Sequence, residues 1–95
     1  VFTISEAEAA VEKAGIDLES ERFDIEAVRI GMEVELEHGT RFPDLDVTAD
    51  DPVTTAKIAM AHLREFPDYY ERLGTMEAEA EAAWALAADT NPGTV

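Results

Sequence analysis

The chain has 95 residues, of which 22 are Asp or Glu and 7 are Lys or Arg, for a formal net charge of −15, and it contains no cysteine. A domain of this size buries only about 60–65% of the surface its unfolded chain exposes, so its core is thin and a second copy or a partner would add to it. The composition excludes a disulfide framework, a thiolate metal site and a cysteine nucleophile. No apolar run approaches the ~20 residues of a membrane span, and so acidic a surface lacks the counterion-release term that drives binding to nucleic acid.

Lysine occurs only as Lys13 and Lys57. Acidic excess with so few lysines is the pattern of proteins adapted to molar salt. At ~1 M the Debye length is about 3 Å and the carboxylates barely repel one another, whereas in dilute buffer the same charges strain the compact state. The expected setting is therefore the high-salt cytoplasm of a haloarchaeon. A hydrophobic content of 46% and clear periodicity oppose the disorder that such charge otherwise favours.

In chain order, Phe2 to Ile4 lead into a first helix. Ser5 and Glu8 have the spacing of a capping box there, Ala7, Ala10, Val11 and Ala14 make one apolar stripe, and Gly15 is the stop. After the connector IDLESERF, Asp24 caps a second helix that is predicted to run to about His38 with Gly39 as its stop signal. The polar loop TRFPDLDVTADD follows, with a short extended piece expected at Leu45–Thr48. Asp51 and Pro52 are an N-cap and a first-turn proline for a third helix, Pro52 to about Glu65. Phe66-Pro67-Asp68 breaks it and starts a fourth, Asp68 to about Ala88, before a loose tail at 91–95. The fold class is all-α: one domain, residues 1–90, built as a compact bundle or array of about four short helices.

Helical wheels at 100° per residue show where the polar groups point. On the second helix Ile25, Val28, Met32 and Leu36 fall together, flanked by Ala27, Gly31 and Val34. Glu26, Glu33 and Glu37 point to the opposite side, but Glu35 lies within the apolar arc and His38 beside it. A carboxylate directed inward must be paired, hydrogen-bonded or protonated. Gly31 allows another helix to approach at that level. The third helix has His62 at the edge of its Ala56–Ala59–Met60–Leu63 stripe. The fourth has a stripe of Tyr69, Leu73, Met76, Ala80, Ala83 and Ala87, with Glu77 at its border between Tyr70 and Trp84.

The stretches FTISEAEAAVEKAGI, GMEVELEHGT and DDPVTTAKIAMAHLREFPDYYERLGTME resemble an uncharacterised family of prokaryotic and tailed-virus proteins known only as a domain of unknown function. The resemblance covers residues 2 to about 79. It implies that ELEHG, DDP, AHL, EFPDYY and the Met76-Glu77 pair are the family's signature. It implies no activity. It does imply small domains of bacteria, archaea and their phages, with a virion association among the possibilities.

Two readings of Glu35 compete. Glu35-x-x-His38 has the spacing used by ferritin-like carboxylate-histidine di-iron sites, and carboxylate with imidazole suits iron, manganese or zinc. In that alternative, two copies of the chain supply Glu35 and His38, with His62 or Glu77 completing the shell. Against it, ferritin-like helices are longer and no second Glu-x-x-His faces the same way. The favoured reading has no cofactor: Glu35 belongs to a buried hydrogen-bond network with Tyr69, Tyr70, His62 or Lys57 that holds the helices in register. The acids of DLDVTADD lack the turn glycine and closing glutamate of a calcium loop. Tyr69, Tyr70 and Trp84 are the candidate interaction residues, since aromatic side chains anchor interfaces. No nucleophile–base pair, Gly-rich phosphate loop or basic patch is present. The expectation is a small non-catalytic interaction or accessory domain that self-associates or binds another protein.

Overall fold

The computed structural model describes residues 1–46 and 51–89, and the side chains of the last helix up to Leu86. It has four α-helices among the described residues: α1, Ile4–Ala14; α2, Ile25–Arg41; α3, Pro52–Glu65; and α4, Tyr69–Asp89. Short 3₁₀ turns at Leu18–Ser20 and Pro43–Leu45 lie in the first two connections. The fold is all-α.

The start of α1 corrects the expected cap. Thr3, not Ser5, closes the capping box: its hydroxyl accepts from Glu6 N–H at 3.1 Å and the Glu6 carboxylate accepts from Thr3 N–H at 2.9 Å. Both Thr-x-x-Glu and Ser-x-x-Glu satisfy the local pattern, and packing chooses between them. With Thr3 as the cap, Phe2 and Ala7 occupy the two positions of a hydrophobic staple, and both are buried. A Ser5 cap would have used Ile4 and Ala9, which are exposed. Gly15 ends the helix at φ +74°, donating to the carbonyls of Val11 and Glu12.

Asp24 caps α2 by accepting from Ala27 N–H at 2.9 Å, and Asp51 caps α3 by accepting from Thr54 N–H at 2.9 Å with Pro52 in the first turn. The end of α2 differs from expectation. The helix runs through Gly39 to Arg41 and stops at Phe42, where the following Pro43 disfavours helical geometry. Gly39 is instead a point of close approach: a Cβ there would lie 2.6 Å from a carboxylate oxygen of Asp46, so the glycine lets the 3₁₀ turn fold back onto α2. Leu45, expected in an extended piece, belongs to that turn. Thr48, Asp50 and the expected tail at 91–95 lie outside the described residues.

Helices α1, α2 and α3 pack on one another around a single core. Met32, Leu63 and Val28 are its largest fully buried side chains, each contributing about 1.5–3 kcal/mol by leaving water. Thr55 is fully buried as well, and its hydroxyl is satisfied by the Asp51 carbonyl at 2.8 Å. Glu33 is not the free surface charge its wheel position implies. It is half-buried and accepts from Arg29 at 3.0 Å and from the Phe2 backbone N–H at 3.2 Å, tying the N-terminal segment to α2.

Helix α4 is attached differently. It packs against α3 and α2, but none of its residues is fully buried among those described. Its half-buried positions are Tyr69, Tyr70, Leu73, Glu77 and Ala80, and every residue from Glu81 to Leu86 is exposed. The expected stripe is therefore rotated: Met76 and Ala83 are exposed, while Tyr70 and Glu77 take the inward side. A helix of 21 residues spans about 30 Å, more than the 27 and 20 Å widths of the molecule, whose long dimension is 54 Å.

Candidate functional site

The polar groups that converge in this fold lie where α4 begins. The Glu35 side chain, 12% exposed, projects from α2 toward α3 and α4. Its Oε2 accepts a hydrogen bond from the Tyr70 hydroxyl at 2.7 Å and faces His62 Nδ1 at 3.0 Å. His62 Nδ1 is also 3.2 Å from the Tyr70 oxygen. An ionised carboxylate only accepts, so the arrangement assigns the proton of His62 to Nδ1 and leaves Nε2 facing away from the carboxylate. Tyr69 stacks on the imidazole, with centroids 4.4 Å apart and planes 4° from parallel, and meets Tyr70 edge to face at 4.9 Å.

Local sequence explains the convergence. Phe66 precedes Pro67 and leaves the helix with extended geometry, its N–H donating to the His62 carbonyl. The chain turns within three residues and Tyr69 N–H donates back to the Phe66 carbonyl at 2.9 Å. The first turn of α4 thereby returns Tyr69 and Tyr70 over the last turns of α3. Gly31 makes the space for them. A Cβ at that position would lie 2.5 Å from Tyr70 Cε2 and 3.0 Å from Ala59 Cβ, so only glycine allows the ring to lie flat on α2. Burial, and next the hydrogen bond to the Glu35 carboxylate, push the Tyr70 phenol well above its ordinary range. The phenol stays protonated and donates.

Beside this cluster, Glu35 also lines a cleft of about 340 Å³ together with His38, Gly39, Phe42, Leu45, Asp46 and Ile58. His38 reaches the cleft but not the core. Its wheel position is within the apolar arc, yet the residue is exposed. Glu35 and His38 thus share the cleft, while Glu35, His62, Tyr69 and Tyr70 share the buried cluster. Glu77 is half-buried two helical turns beyond Tyr70, and Lys57 is exposed. Among the described residues no group of three or more His, Asp or Glu side chains is placed to hold a metal ion.

Chemically, the cluster is a lock between three helices, made by the Tyr70 hydroxyl, His62 Nδ1 and one Glu35 oxygen. No buried side-chain nitrogen or oxygen among the described residues lacks a partner. The carboxylate joins α2, α3 and α4 through one oxygen atom. Phe42, Leu45, Asp46 and Ile58, which line the cleft, are not conspicuous in the sequence. The one available signal was a glycine inside a helical pattern at position 39, since such a glycine costs about 1 kcal/mol and needs a packing reason.

Trp84, the remaining candidate, is 76% exposed and is not among the core residues. It falls on the line Tyr70, Leu73, Glu77, Ala80, Trp84, whose intervals of three and four residues keep one helix face. The face that docks α4 onto the body continues past the body and ends in an uncovered tryptophan.

Among the described residues no helix is long and apolar enough to cross a membrane. Searches of curated proteins and of solved structures find no match. A family model does match, over residues 7–79, a segment that contains Glu35, His62, Tyr69 and Tyr70 and stops before Trp84. The chain belongs to the family of proteins of unknown function DUF5661.

Proposed function

We propose that this chain is a small, non-catalytic interaction domain, of a halophilic archaeon or of a virus of such a host, in which α4 is the attachment element. The observation that carries the reading is the contrast within α4. Its first turns are locked to α2 and α3 by Tyr70 and Glu35, while its second half leaves Trp84 76% exposed. A rigid helix that presents an aromatic anchor is a common way for one protein to engage another. The charge of −15 supports the high-salt setting, in the cytoplasm or in a virion. The occupant of the helix is a second copy or a different protein.

The test is Trp84→Ala, with light scattering and thermal melts at ~2 M KCl. The expected result is an unchanged melting temperature with loss of any association seen in the parent. A substantial loss of monomer stability would mean that Trp84 serves the fold. A strict monomer at high concentration would remove the self-association half of the proposal.

A further inference from the structure

Resting on that reading of α4, we infer that the partner is a different protein presenting a basic amphipathic helix, which lies along the distal half of α4 and sets cationic side chains against Trp84, Glu77 and Glu81. The first observation is an asymmetry of charge along the chain. All seven basic residues lie at or before Arg72, and none follows it. Arg72 itself is engaged by Asp68 at 2.7 Å. Beyond it, α4 carries Glu77, Glu79 and Glu81 with no intrachain cation in sequence to answer them.

The second observation is the arrangement of those acids. Glu77 and Glu81 are one turn apart, and Glu81 is three residues from Trp84, so the two carboxylates line up beside the indole on one side of the helix. Glu79 lies on the other side, near Met76, which is 53% exposed. Met76, Ala80, Ala83 and Trp84 form the apolar strip between these two flanks. An apolar strip with carboxylates on both flanks is the complement of a helix with an apolar stripe and Lys or Arg on both shoulders. The indole face adds to this, since Trp is the best aromatic acceptor for a Lys or Arg cation.

The same charges argue against a second copy. Pairing two such helices sets Glu77, Glu79 and Glu81 of one beside those of the other. Carboxylates buried against one another between two helices are screened much less than exposed ones, so that repulsion persists at high salt. A basic partner turns the same residues into attraction, and buries an apolar face that continues the one already docked on α2 and α3.

The chain has one tryptophan, so its emission reports on Trp84 alone. Three synthetic helical peptides of about 20 residues, long enough to be helical alone, share one pattern of leucines and carry Lys, Gln or Glu at the polar positions. Each is titrated into the protein, with binding of a labelled peptide followed in parallel. The expected result is a saturable blue shift with the Lys peptide, at least about tenfold tighter than with the Gln peptide, none with the Glu peptide, and a preference that falls as KCl rises within the range over which the protein's helical signal is constant. The Glu77→Gln/Glu81→Gln variant should lose that preference while keeping its helical circular dichroism. Equal binding of the Lys and Gln peptides overturns the inference and leaves α4 as an attachment element. So does a concentration-dependent dimer with Trp84 buried. Undiminished binding of the Lys peptide to Trp84→Ala overturns it too, because the attraction is then diffuse. An exposed Trp84 at every concentration, with no peptide bound, overturns both this inference and the reading on which it rests.

Discussion

Replacing Gly31 by alanine tests the junction between α2 and α4 directly. In an exposed helix interior, Gly→Ala stabilises by about 1 kcal/mol, because glycine has more backbone freedom to lose. At position 31 the new methyl would lie 2.5 Å from Tyr70 Cε2 and 3.0 Å from both Tyr70 Cζ and Ala59 Cβ. Carbon atoms settle at about 3.5–4.0 Å, so the ring must retreat by roughly 1 Å. That stretches the 2.7 Å bond from the Tyr70 hydroxyl to Glu35 beyond hydrogen-bonding range. Overpacking costs about 1–3 kcal/mol and a hydrogen bond to a charged group about 1.5–3 kcal/mol. Set against the propensity gain, the net loss is about 3 kcal/mol, or roughly 15 °C in Tm for a chain of this size. Gly74 is the internal control. It lies in α4, and an added methyl there would meet nothing within 4 Å, so Gly74→Ala should stabilise by about 0.5–1 kcal/mol. The assay is thermal and urea unfolding at fixed KCl, followed by helical circular dichroism. If both substitutions stabilise, α4 is not docked on α2 through Tyr70 and the account of the cluster fails.

The remaining predictions concern the cluster and the charge. A double-mutant cycle of Glu35→Gln with Tyr70→Phe should give a coupling of about 1–2 kcal/mol, while Glu37→Ala, which is exposed, should stay within about 0.5 kcal/mol; additive effects at 35 and 70 would sink the shared bond. Because the folded-state Tyr70 is raised, the native state holds its proton more tightly than the unfolded chain. Its contribution is complete below the ordinary tyrosine range of about 10 and declines as pH rises above it. Urea midpoints should therefore fall above about pH 10 in the parent, and Tyr70→Phe should flatten that decline; an equal slope in both proteins contradicts the assignment. Dialysis from ~2 M to ~0.1 M KCl should lower both helical signal and Tm, since −15 charges on this small body then repel; a salt-independent Tm would refute the halophilic reading.

Local sequence determined the all-α class, the ends of α3 and the stop of α1, because each depends on interactions within a few residues. Asp24, Asp51, Pro52 and Gly15 act on the backbone beside them, and their roles do not wait for tertiary contacts. The wheel also separated Glu35 from Glu37, since direction around a helix is a local property. What a side chain meets in that direction is not local. Ser5 and Thr3 offered equivalent caps, and burial of Phe2 against the core selected Thr3. Gly39 had the look of a stop, and the return of Asp46 across it made it a contact instead. Glu33 and His38 exchanged their expected surroundings: the Phe2 backbone N–H meets Glu33, which is half-buried, while His38 is exposed. For Glu35 the sequence offered four partners, and only the packing of α3 and α4 against α2 brought Tyr70 and His62 to it, with Tyr69 stacked behind and Lys57 left in water. The same packing covers the first half of α4 and ends before Trp84: the sequence marked Tyr69, Tyr70 and Trp84 alike as candidate interaction residues, and only the tertiary structure turned the two tyrosines inward and left the tryptophan uncovered.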